Sequence, residues 1–106
     1  MQTLMKTTKG QVQKHRKELA QAFFSVHSLS EMENFLTDLC TPAELRALSE
    51  RWHVAQILNV GKLSYRDINA QTGVSTTTIG RVARFLNEEP HQGYSAILER
   101  QKKAKK

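Results

Sequence analysis

The 106-residue chain has a single cysteine, Cys40, so it cannot close a disulfide within itself. A lone thiol suits a reducing compartment, and the expected location is cytoplasmic. No apolar run approaches the roughly 20 residues needed to span a bilayer, so no membrane is expected as partner. The opening MQTLMKTTKG lacks the apolar centre of a signal peptide. No segment alternates with the period of a strand, and no internal repeat is present. His15, His27, His53 and His91 are scattered, without an i, i+4 pair or a cysteine pair nearby, so no metal site is expected. With no nucleophile–base pair and no phosphate loop either, the chain does not read as an enzyme.

What is present is positive charge and helical periodicity. The formal net charge is +6 and the pI about 9.8. Such a balance favours a polyanion, nucleic acid before an anionic membrane. The last five residues, 102–106, hold four of the lysines and read as a basic C-terminal tail. That tail serves equally well as a solubilising end. The case for nucleic acid therefore rests on the body, residues 1–101, read as a single helical domain.

Six helices are expected. The first runs from about Gln11 to His27, with Val12, Leu19, Ala22, Phe23 and Val26 on one face. Ser30 reads as the cap of the second, with Glu31 and Glu33 in its first turn and Met32, Phe35, Leu36 and Leu39 as its stripe. Thr41-Pro42-Ala43-Glu44 is a capping box with proline at the first helical position. The third helix continues through Leu45, Leu48, Trp52, Ala55 and Leu58 to Gly61, and Trp52 reads as core. A short sixth helix carries Tyr94, Ile97 and Leu98 into the tail.

The fourth and fifth helices carry the function. Residues 64–87, SYRDINAQTGVSTTTIGRVARFLN, have the layout of a helix-turn-helix. Ser64 caps a short helix with Ile68 inward, Gly73 closes it, Val74 fills the turn and Ser75 caps the next helix. Ile79, Val82, Ala83 and Leu86 then repeat at i, i+3, i+4 and i+7. Asn69 stands where alanine is frequent. Ser75, Thr76, Thr77 and Thr78 put short hydroxyl and methyl groups at the start of the second helix, where they can approach base edges and thymine methyls. Gly80 adds no bulk and lets the helix sit deep in a groove, at about 1 kcal/mol of helix propensity. Arg66, Arg81 and Arg84 supply charge for phosphates or guanine. The bland counterpart is a helical hairpin whose threonines merely face water, with Thr78 partly buried.

From Leu39 to Leu86, about half the chain, the sequence resembles the Trp repressor superfamily. LCTPAELRALSERW is similar to that family's Leu-x-Thr-Pro-x-Glu…Ala-Leu…Arg segment, and the likeness runs on through GKLSYRDINAQTGVSTTTIGRVARFLN. Asp38-Leu39-Cys40, Arg51-Trp52 and the Thr-Gly-x-Ser-Thr-x-Thr-Ile of residues 72–79 look closer to its uncharacterised Trp repressor-like branch. The resemblance implies an all-α, six-helix, intertwined homodimer that places two recognition helices in successive major grooves of an operator. It also implies an amino-acid effector held between two arginines, here Arg51 and Arg81. Val82 and Phe85 depart from the pocket: tryptophan-binding members carry a small residue and a serine there. Larger apolar side chains fill the space an indole needs, so tryptophan is not expected as effector, and no cofactor is expected.

The reading is a sequence-specific transcriptional repressor bound to double-stranded DNA as a homodimer. Recognition helices about 34 Å apart would match one DNA turn. The apolar face of the first helix and the Met32, Phe35, Leu36 stripe exceed the needs of a small monomer core, which also favours a dimer. The alternatives are a helical adaptor that binds protein and a sigma-factor-like promoter reader. A salt-dependent affinity separates DNA binding from an apolar adaptor contact.

Overall fold

The computed structural model describes residues 8–104. These residues form six α-helices and no strand: α1 (Lys9–Phe24), α2 (Leu29–Leu39), α3 (Pro42–Val60), α4 (Tyr65–Thr72), α5 (Thr76–Asn87) and α6 (Gly93–Ala104). The chain divides into two compact units with the boundary between Thr41 and Pro42.

In the first unit, both helices start earlier than the sequence pattern suggests. Thr8 caps α1: its hydroxyl accepts from the Gln11 N–H at 3.1 Å, and the Gln11 side chain accepts from the Thr8 N–H at 2.8 Å. This is a reciprocal capping box. The helix stops at Phe24, three residues short of the expected His27, and Ser25 folds its hydroxyl back onto the Ala22 carbonyl. α2 is capped by Ser28, not Ser30. The Ser28 hydroxyl accepts from the Glu31 N–H at 3.0 Å, and Glu31 accepts from the His27 N–H at 2.7 Å. Ser28 and Ser30 each precede a glutamate by three residues, so both registers carry the same signal. The earlier one lengthens the helix by two residues, with Met32 N–H donating to the Ser28 carbonyl. Within the unit the Phe23 and Phe35 rings meet edge to face, centroids 5.5 Å apart. No residue of α1 or α2 is buried.

The second unit holds the core. α3 begins at Pro42 and ends where Gly61 turns left-handed, φ 78°. The backbone conformation at Gly61 is one that side-chain-bearing residues rarely adopt. α5 is the hub: it packs against α3, α4 and α6. Val54 and Ala55 from α3, Ile68 from α4, Val74 from the turn and Ile79 and Val82 from α5 form one buried cluster. Fully burying each of the larger side chains contributes roughly 1.5–3 kcal/mol. Trp52 joins the edge of this cluster and stacks on Tyr94 of α6, rings 6.4 Å apart and 20° from parallel. α6 is longer than expected. Lys102 and Lys103 lie in its last turn, where positive charge suits the helix dipole. The remaining tail lysines, Lys105 and Lys106, lie outside the described residues. No helix of the described residues is long and apolar enough to cross a membrane.

Candidate nucleic-acid interface

Two serine caps and one left-handed glycine set the geometry of α4 and α5. Ser64 accepts from the Asp67 N–H at 3.1 Å and starts α4. Gly73, φ 76°, ends it. Ser75 accepts from the Thr78 N–H at 3.1 Å and starts α5. The turn between them is short because Val74 is drawn into the core, only 4% exposed. Burying Val74 removes its backbone groups from water, so both need partners. Thr72 supplies one: its hydroxyl accepts from the Val74 N–H at 3.1 Å while donating to the Ile68 carbonyl at 2.7 Å. Asn69 supplies the other, its Nδ2 donating to the Val74 carbonyl at 2.8 Å. Alanine at position 69 could not make this bond. Of the residues expected at the interface, Asn69 thus has its amide nitrogen committed to the turn.

α5 has two distinct faces. Ile79, Val82, Ala83 and Leu86 are buried. Thr76, Thr77, Arg81 and Arg84 are exposed, and Gly80 is half-buried beside them. Thr77, Gly80, Arg81 and Arg84 recur at i, i+3, i+4 and i+7, so they form one stripe on the side turned from the core. The hydroxyls of Thr76 and Thr77 make no hydrogen bond among the described residues. Thr78 differs: it is half-buried, and its hydroxyl accepts from the Ser75 hydroxyl at 3.0 Å. Ser75 and Thr78 therefore hold the helix start while Thr76 and Thr77 face out.

Gly80 is not required by the packing of the chain. Its backbone is helical, and a Cβ built on it meets nothing within 4 Å. The first turn of α5 holds no acidic side chain, unlike α2, α3 and α4 with Glu31, Glu44 and Asp67. Its positive dipole end is left uncompensated. Arg66, exposed in the first turn of α4, adds a further cation. Three arginines face one aspartate across residues 64–87.

The four expected pocket residues have different surroundings. Val82 is 1% exposed in the core cluster. Arg51 is half-buried on α3, the helix that packs on α5. Phe85 is half-buried and ringed by charge: the Arg81 guanidinium lies over it at 4.3 Å and that of Arg84 at 5.0 Å. His91, in the loop after α5, stacks on the same ring at 6.0 Å. Arg84 also pairs with Glu89 at 3.5 Å. The sequence reading missed His91 and Glu89, although Arg81 and Phe85 stand at the i, i+4 spacing that brings side chains together.

The comparisons with known proteins agree in direction. The family model described as Trp repressor protein matches residues 14–102. The uncharacterized protein YerC of Bacillus subtilis (strain 168) is 43% identical over 89 residues, covering 81% of this chain and 84% of that protein. The crystal structure of a TrpR-like protein from Eubacterium eligens ATCC 27750 superposes with a TM-score of 0.74 at 40% identity. The likeness covers 83% of this chain and 89% of that one.

Proposed function

Because the chain belongs to the Trp repressor family, a family of helix-turn-helix DNA-binding regulators, we propose that it is a sequence-specific repressor binding operator DNA as a homodimer, without tryptophan. α5 enters the major groove and Thr76 and Thr77 read base edges at its start. Arg81 and Arg84 further along α5, and Arg66 at the start of α4, contact phosphates or guanine. One observation carries this reading: the outward stripe of α5 combines small hydroxyl side chains, a glycine with empty space around it, and arginines. A face built only for water has no use for a helix-weakening glycine.

The surroundings of the pocket residues support independence from tryptophan. Val82 is spent on the core, and Arg81 already has an aromatic ring, Phe85, against its guanidinium. An indole laid against the Arg81 guanidinium would compete with that ring. Titration calorimetry with L-tryptophan is expected to show no saturable binding. Saturation at tens of micromolar coupled to tighter operator binding would refute this part of the reading.

The test of the whole is selection of bound sites from genomic fragments, followed by affinity against salt. A selected operator should be bound far more tightly than random duplex. Its affinity should fall steeply with salt as counterions are released. An apolar adaptor would enrich no site and show little salt dependence.

A further inference from the structure

The geometry points to Phe85 as a positioning residue for the DNA-contacting arginines. It rests on the operator-binding reading above and adds to it the reason why two long cations on α5 are held in place. Arginine side chains lose rotamer freedom when they grip a phosphate, and that loss weakens binding unless it has already been met in the free protein. Here both guanidiniums lie against one ring, Arg81 at 4.3 Å and Arg84 at 5.0 Å. The π face attracts each cation electrostatically without neutralising its charge. A carboxylate could also hold an arginine, but it would compete with phosphate for it. Among the described residues only Arg84 of the two has such a partner, Glu89, at 3.5 Å, and its side chain remains 55% exposed. The ring itself is braced from outside the helix by His91, 25° from parallel at 6.0 Å. Phe85 thus orders Arg81 and Arg84 on the outward side of α5 while leaving their charge available.

The test reads the free protein and the complex separately. In the unmodified chain, NMR of the arginine side chains should show upfield ring-current shifts and restricted Nε–H motion for Arg81 and Arg84, but not for Arg66. Random-coil shifts at both would overturn the inference whatever the protein binds. Phe85→Leu keeps an apolar side chain and removes the π face. It should abolish those shifts, leave the melting temperature near that of the parent, and weaken operator binding about three- to tenfold. The salt slope should hold, because both cations remain. Phe85→Tyr should restore the shifts and the affinity, which a requirement for volume alone does not predict. In an Arg81→Ala, Arg84→Ala background, Phe85→Leu should have no further effect on affinity. Parent-like affinity of Phe85→Leu, or an equal loss in the double-alanine background, would overturn the proposal. Should the parent chain select no DNA while its arginines show ring-current shifts, the operator reading fails and the ordering of the arginines by Phe85 stands.

Discussion

The two units of the chain use their apolar residues in opposite ways. Every buried residue of the described chain follows Pro42, from Val54 to Leu98. α1 and α2 bury none, and Phe24 and Leu29 are 94% and 77% exposed. The second unit contains a core sufficient to fix α4 and α5 and to turn the Thr77–Arg84 stripe outward. The first unit is held by caps and one aromatic pair, with an open groove lined by Ala22, Ser25, Val26, Glu31 and Phe35. On the proposed reading, the second unit reads DNA and the first offers the surface for a homodimer. Each half of that division can be broken separately.

The largest effect is expected in the core of the second unit. Ile79 is fully buried between α5 and its neighbours. Ile79→Ala should destabilise the fold by about 2–5 kcal/mol, through lost burial and the cavity left behind. Urea denaturation at fixed protein concentration measures it. A loss below about 1 kcal/mol would mean that this core is not what holds the unit together.

The next effect falls on assembly. Phe24→Asp with Leu29→Asp places charge on two exposed apolar positions of the first unit. Light scattering should show a monomer in place of a dimer, and operator affinity should fall about a hundredfold or more as two linked half-site contacts become one. Near-ultraviolet signals from Trp52 should persist, since its neighbours lie in the second unit. A dimer that survives both substitutions would remove the first unit from the interface.

A smaller effect is expected at the reading surface. Thr77→Glu puts a carboxylate on the exposed stripe, facing phosphates and base edges. It should cut the preference for the selected operator over random duplex by about 1–3 kcal/mol, the worth of a base contact. Fold stability should move by no more than about 0.5 kcal/mol. An unchanged preference would show that another face of the second unit docks.

What the sequence made legible follows the same division. α4, its turn and α5 were readable to the residue because Ser64, Gly73 and Ser75 each do a job few residue types can do. Ile68, Val74, Ile79 and Val82 were readable as buried because a short helix-turn-helix leaves them no alternative face. α3 was harder. Its apolar residues surround the helix, so the pattern favoured Leu48, which is 40% exposed, and passed over Val54, which is fully buried. The start of α2 was ambiguous between two serines carrying the same signal. The cap at Thr8 was present in the sequence as Thr-x-x-Gln and was not used. The clustering of Arg81, Arg84 and His91 on Phe85 depends on side-chain rotamers, which periodicity does not encode.

Gly80→Ala carries the smallest expected effect and separates the two explanations for a glycine in α5. Glycine in a helix interior weakens it by about 0.5–1 kcal/mol relative to alanine, because its backbone has more freedom to lose. Packing does not require that weakness, since beyond its chain neighbours and the local helix backbone the added methyl meets nothing within 4 Å. Free protein should therefore become more stable by up to about 1 kcal/mol, seen as a higher urea midpoint with an unchanged slope. The DNA complex should move the other way. On the outward stripe, beside Thr77 and Arg81, the same methyl occupies space that a groove-bound helix gives to base edges. Operator affinity should fall while the dimer persists in light scattering. Opposite signs from one methyl group would locate the need for glycine outside the protein. A variant that is more stable and binds its operator as tightly as the parent would show that α5 does not approach DNA closely at this point, and that its docking is carried by Thr76, Thr77 and the arginines alone.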